Sequence, residues 1–273
     1  MSAPTREIRL WRLSQGLQED TTDVVIVEEP LEIRLGGEPF QVLMRLPGQE
    51  KELALGFLYT EGIIRSLSEV LSLHFCGTAT DPVLPPNVLD VSLAPEAKER
   101  AGRRHLEVAY SSCGLCAKEA VSDIKARVPP LTSPLSLTLT QLSALVARLP
   151  EAQPLFHATG GTHGVALASP DGAIFVSAED VGRHNAMDKA IGQALLRRLD
   201  LTRLVALLSG RISFEMALKC VRAGIPILAA VSAPTSMALE LAQEMGLTLV
   251  GFARPQRLNV YTHPERLRDL ARG

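Results

Sequence analysis

Cys113 and Cys116 stand three positions apart in SSCGLCAKEA, residues 111–120. That spacing suits three chemistries: a metal clamp, a disulfide switch or a sulfur carrier. Ser111 and Ser112 are good helix caps, and AKEAVSDIKARV has helical character, so Cys113 falls at or just before a helix N-terminus. Unpaired backbone N–H groups there favour an anion, and the reactive thiolate is one, so its pKa should fall. Lys118 adds positive charge. The residues thus support a nucleophilic Cys113 with Cys116 as its helper. Zinc usually takes four ligands from two such pairs, and there is one pair here, so no metal is expected. His105 and Glu107 ahead of the pair faintly echo a zinc deaminase signature, but the proline before the first cysteine is missing. A thioredoxin-like switch fits the spacing better than the setting, since the pair does not sit in an N-terminal βαβ unit. Cys76 and Cys220 have no cysteine neighbour and read as core residues.

Four polar turns and one strand exit form a second set. FHATGGTHG places His157, Thr159, Gly160, Gly161 and His163 before a strand, and paired glycines leave backbone N–H groups open to a ligand. AEDVGRHNAMDKAIG puts Gly182, Arg183 and His184 at the mouth of a helix that Asn185 can cap. LLSGRIS runs from a strand through Gly210 and Arg211 into a helix from about Ser213. VSAPTSM repeats that pattern, and the last strand leaves through GFARPQRLNVYT. In an open α/β sheet, ligands gather at the carboxyl ends of parallel strands, where helix N-termini suit phosphates. Arg183, Arg211, Arg254 and Arg257 add bidentate donors. An acidic chain that gathers arginines at successive strand ends points to a phosphorylated ligand. None of the turns is a Walker loop or a dinucleotide fingerprint.

The elements that must position these groups follow from periodicity. Residues 26–46 alternate around Gly36-Gly37, a hairpin signal. ELALGFLYTEGII reads as a short helix stopped near Gly62, NVLDVSLAP and HLEVAY as strands. Residues 1–127 therefore read as a strand-rich N-terminal domain ending in the cysteine loop and its helix. VPPLTSPLSL, 128–137, carries three prolines and reads as a linker. From 138 to 273, helix and strand patterns alternate, opening on TQLSALVARL and a hairpin across Pro170-Asp171-Gly172. That alternation predicts an α/β domain with a partly parallel sheet.

With 273 residues and a 46% hydrophobic share, the chain can bury a substantial core. Its net charge of −2, with basic residues spread out, argues against a nucleic-acid binder or membrane-surface protein. No apolar run suits a spanning helix, and the N-terminus lacks a signal-peptide core. A cytoplasmic protein in a reducing compartment is expected.

SSCGLC, TGGTH, EDVGRHNAMDKAIG, SGRISFEM, AGIPILAAVSAPTSMAL and GFARPQRLNVYT, in that order, resemble the FdhD family, accessory sulfurtransferases of formate dehydrogenases. PLEIRLGGEPF and ELALGFLYTEGII are similar to its N-terminal segments, so the likeness runs from about Glu29 to His263. It implies a C-terminal three-layer domain related to the cytidine deaminase fold. It implies a sulfur carrier that takes persulfide from a cysteine desulfurase and passes it to the molybdenum cofactor, bis(molybdopterin guanine dinucleotide), before insertion into the formate dehydrogenase catalytic subunit. The family's persulfide cysteine matches Cys113, with Cys116 as second thiol. Its cofactor-binding stretch matches Phe252, Ala253, Arg254, Pro255, Gln256 and Arg257. Gly210 and Arg211 are assigned to the same guanine-dinucleotide seat, with His157, Thr159, Gly160, Gly161 and His163 nearer the pterin or the sulfur path. A homodimer is left open. Two rival readings stay open: a dithiol oxidoreductase, and a cofactor chaperone that carries no sulfur.

Overall fold

The computed structural model describes residues 3–14, 16–76, 87–102 and 127–269. Cys113, Cys116, their flanking serines, Lys118 and the strand expected at 105–110 lie outside the described residues.

The chain opens with a ribbon, β1 (Thr5–Ser14) paired antiparallel with β2 (Leu17–Ile26). A four-stranded sheet follows, ordered β4-β3-β6-β5, from β3 (Glu29–Leu35), β4 (Glu38–Arg45), β5 (Val70–Cys76) and β6 (Val88–Leu93). The turn at Gly36-Gly37 forms the expected hairpin, both residues at positive φ that glycine adopts without strain. Leu31 and Ile33 of β3 alternate with charged Glu32 and Arg34, so one face is apolar. It packs against helix α1 (Glu50–Thr60) and against a helix over 95–102, α2, which the sequence did not announce.

The larger sheet has six strands ordered β12-β11-β10-β9-β7-β8. They are β7 (His163–Ala168), β8 (Ile174–Asp180), β9 (Val205–Leu208), β10 (Ile227–Ala230), β11 (Thr248–Arg254) and β12 (Arg257–Thr262). β9, β10 and β11 run parallel; β7 and β12 run against them, and β8 against β7. Successive side chains point to opposite faces, and both faces are buried. Leu167, Ala206, Leu208 and Leu228 meet α5 (Arg183–Leu196), α6 (Phe214–Ala223) and α7 (Ser236–Met245). Ala166, Val205, Leu207 and Ile227 meet α3 (Leu139–Arg148) on the other side. The architecture is α/β, three layers deep here, with a mixed and partly parallel sheet. Thr138 caps α3 in a reciprocal box with Gln141. Residues 128–137 are tied down on both sides of the sheet: Leu131 N donates to Met245 O of α7 at 2.8 Å, and Leu137 bridges Leu267 on the α3 side.

The two sheets are joined through α1 and α5. Most of α1 is buried, because one side faces its own sheet and the other lies on α5. Buried ionic groups fix the seam. Lys219 of α6 reaches both Asp188 oxygens at 2.8 Å and Thr60 Oγ1 at 2.9 Å. Lys189 pairs with Asp180 at 2.7 Å and donates to Leu46 O. Pairs so deep are dearly desolvated, and removing one partner would leave an uncompensated buried charge. Asn185 does not cap α5, as its position suggests. It lies inside the helix and donates to Met44 O across this seam and to Asp180 Oδ1 at the end of β8, and Gly182 is the cap residue.

Candidate functional site

Strand direction brings the polar turns together. The carboxyl ends of β9, β10 and β11 share one edge because those strands are parallel. β7 runs the other way, so its first residue, His163, reaches the same edge, and β8 ends beside it with Asp180 opposite His163. The turns after β9 and β10 are bonded to each other: Ile212 N donates to Ala233 O and Thr235 N to Ile212 O. The turns before α5, α6 and α7 and the Thr159–Thr162 segment thus meet at one rim.

A cavity of about 550 Å³ opens there. Its apolar wall comes from α3 and the following segment: Val146, Leu149, Pro150 and Phe156. Gly160, Gly161, Thr162, His163 and Ser209 close a second side, and Ala253, Arg254 and Pro255 a third. Of the residues singled out in the sequence, Gly160, Gly161, His163, Ala253, Arg254 and Pro255 line it together. Gly210 is adjacent, its Cα so near His163 that an added Cβ would stand 3.3 Å from Nδ1. Phe252, Gln256, Arg257, Arg211, His157 and Thr159 are outside the lining. His157 Nε2 sits 3.2 Å from Pro150 O, on the outer side of the wall. Thr159 Oγ1 donates to Leu155 O and accepts from Gly161 N, which shapes the turn.

The glycine pair does not offer the open N–H groups expected of it. Gly160 ends the short helix α4 (Pro154–Thr159) and donates to Phe156 O, while Gly161 donates to Thr159. Their use is conformational: Gly160 has φ 69, the left-handed value that ends helices. The wall is braced from behind by Glu179, which no sequence pattern singles out. Its carboxylate accepts from Leu155 N, Phe156 N and Thr162 Oγ1.

Next to the cavity is an excess of positive charge. Arg183 and Arg211 both act on His163, and with burial first and His184 beside them they hold its pKa below the usual imidazole value. His184 Nε2 stands 2.8 Å from a Glu215 carboxylate oxygen. That neighbour holds the Glu215 carboxyl below its ordinary range. Arg183 Nε and Ser213 Oγ are buried without a partner among the described residues. Cations, an unpaired donor and three helix N-termini around one rim favour an anion. Among the described residues, no three His, Cys, Asp or Glu side chains are grouped to hold a metal, and no helix is long and apolar enough to cross a membrane.

Comparison with known proteins decides the family. The FdhD/NarQ family model matches residues 26–268. The chain belongs to that family. Among its members, a protein of Mycolicibacterium paratuberculosis named sulfur carrier protein FdhD is 46% identical over 272 residues, 96% of this chain and 98% of its own. One of the same name from Streptomyces coelicolor is 43% identical, covering 98% and 97%. A crystal structure from Desulfotalea psychrophila, described as a candidate formate dehydrogenase accessory protein, superposes with TM-score 0.77 at 28% identity over 97% of this chain. The family stretch GFARPQR is the exit of β11, and it supplies the third side of the cavity.

Proposed function

We propose that the protein is a sulfur carrier serving formate dehydrogenase. Its substrate is the molybdenum cofactor in its bis(molybdopterin guanine dinucleotide) form, seated at the strand-end cavity and its cationic rim. The observation that carries the reading is full-length identity of 46% to a protein named as a sulfur carrier. The arginine-rich rim supports a phosphate-bearing substrate, and the cavity has room for one of its rings.

The sulfur step belongs to Cys113, by its matching motif and its place before a helix-forming run. The Cys113 thiolate attacks the outer sulfur of a persulfide on a cysteine desulfurase. One S–S bond forms, another breaks, and the desulfurase thiolate leaves with the electron pair. Delivery as sulfide needs two electrons. The Cys116 thiolate supplies them by attacking the Cys113 Sγ: a Cys113–Cys116 disulfide forms and hydrosulfide leaves toward the cofactor. A cellular dithiol must then reduce the pair. In this reading the protein is a sulfurtransferase acting in the cytoplasm, with a cysteine desulfurase and the formate dehydrogenase catalytic subunit as partners.

Intact mass spectrometry after incubation with a desulfurase and cysteine tests it. The wild type should gain one sulfur atom and Cys113→Ser none. No gain in the wild type, or an undiminished gain in Cys113→Ser, overturns the assignment.

A further inference from the structure

Gln153 is a polar group in the cavity that neither the fold nor the sulfur path uses. It is 6% exposed and lines the cavity. Its backbone precedes α4 as the cap residue, yet its side chain makes no capping bond. The carboxamide lies over Gly164 of β7, where a Cβ would stand 2.5 Å from its Cγ and 3.0 Å from Nε2. The missing side chain of Gly164 is what leaves room for it. Gln153 is thus almost wholly buried yet lines the cavity, where its amide can meet a ligand seated there.

The surroundings narrow the ligand. Val146, Leu149, Pro150, Phe156 and Pro255 are apolar and suit a flat ring system. A carboxamide presents one acceptor beside two donors. That pair matches a ring N–H next to a ring C=O, the lactam edge of a fused heterocycle. We infer that Gln153 reads the lactam edge of a fused 2-amino-4-oxopyrimidine ring bound in this cavity. Its carbonyl accepts from the ring N–H, and its NH₂ donates to the ring carbonyl. The inference rests on the function proposed above, whose substrate carries this edge twice over, in guanine and in pterin. It goes further in naming the residue that selects the ring.

Binding to the full-length protein is measured by calorimetry with GDP, N1-methyl-GDP, 6-hydroxymethylpterin and pyrophosphate. The variant is Gln153→Met, which keeps the volume and deletes the amide. Losing the paired bonds should weaken GDP or the pterin by roughly ten- to a hundredfold, with pyrophosphate unchanged. Whichever ring loses affinity is the one seated on Gln153. If it is guanine, N1-methylation should cost the wild type a similar factor and the variant little more, because both changes delete the same contact. Gly164→Ala, which pushes the carboxamide off its seat while keeping it, should show the same loss if Gln153→Met does not fold. Equal affinities in the wild type and both variants, additive losses, or a matching drop for pyrophosphate would overturn the role of Gln153 and leave the proposed function standing. Failure of the wild type to bind either ring would overturn the reading of the cavity itself, and this inference with it.

Discussion

Gly56 of α1 and Asp188 of α5 touch backbone to backbone: a Cβ on Gly56 would stand 1.8 Å from the Asp188 carbonyl oxygen. The contact is reciprocal, since a Cβ on Gly192 would stand 1.9 Å from the Glu52 carbonyl oxygen. The two helices hold the N-terminal sheet against the layer whose first residues, Arg183 and His184, form the rim.

Gly56→Ala and Gly192→Ala should each destabilise the fold by about 1–3 kcal/mol or more, because main-chain atoms cannot yield as side-chain tips do. Denaturant midpoints measure this. Unchanged midpoints in both variants would mean that the helices can part without cost.

Phe252 is held at φ 48 and is 42% exposed. Its N–H donates to Ser232 O across the irregular end of β11, which keeps it in the left-handed region. Glycine fits there and alanine does not. Phe252→Gly should therefore be more stable than Phe252→Ala by about 1 kcal/mol, the reverse of the usual order. Thermal midpoints of the two variants decide it; equal midpoints would mean the backbone relaxes.

Much of the site's framework was legible in the sequence, because the alternation of strands and helices after residue 137 forces successive turns to one sheet edge. What escaped was local or three-dimensional. The β1–β2 ribbon has little apolar face to bury, so Leu13 and Leu17 lie exposed and leave no periodic signal. Asn185 looks like a cap because its residue type caps well; its actual partners are Asp180, five residues earlier, and Met44 of the N-terminal sheet. α4 is six residues long, below what periodicity can register. Glu179 and Gln153 follow no pattern, and their roles exist only where β8 brings Glu179 behind the cavity wall and the turn before α4 lays Gln153 over β7.

His163 should make stability fall in mild acid. Burial, Arg183, His184 and Arg211 lower its folded pKa. Between that value and about 6.5, the unfolded chain therefore binds the proton that the folded chain refuses. Stability from this group is complete above about pH 6.5 and is lost as pH falls through the folded value. His163→Gln should flatten that part of the profile, measured by denaturant unfolding from about pH 7.5 to 5.5. An unchanged slope would assign the acid sensitivity to other groups.

Arg254 is the arginine among those singled out that lines the cavity, and its Nη1 is fixed by Val231 O at 2.7 Å and Ala253 O at 2.8 Å. A guanidinium held by its own backbone loses little freedom when it meets a phosphate, so its bonds should count nearly in full. Arg211 acts from the neighbouring turn through its charge on the rim. Arg254→Ala should weaken GDP, used as a fragment of the proposed substrate, by roughly ten- to a hundredfold, the worth of one charge-assisted hydrogen bond. Arg257, exposed at the start of β12, should matter less. Binding should also weaken as salt rises, since the rim charges are partly open to solvent. Arg254→Lys separates charge from geometry: it should restore the salt dependence but only part of the affinity, because an ammonium keeps the charge and loses the planar fork. Unchanged GDP affinity in both Arg254→Ala and Arg211→Ala would move the phosphate seat off this edge.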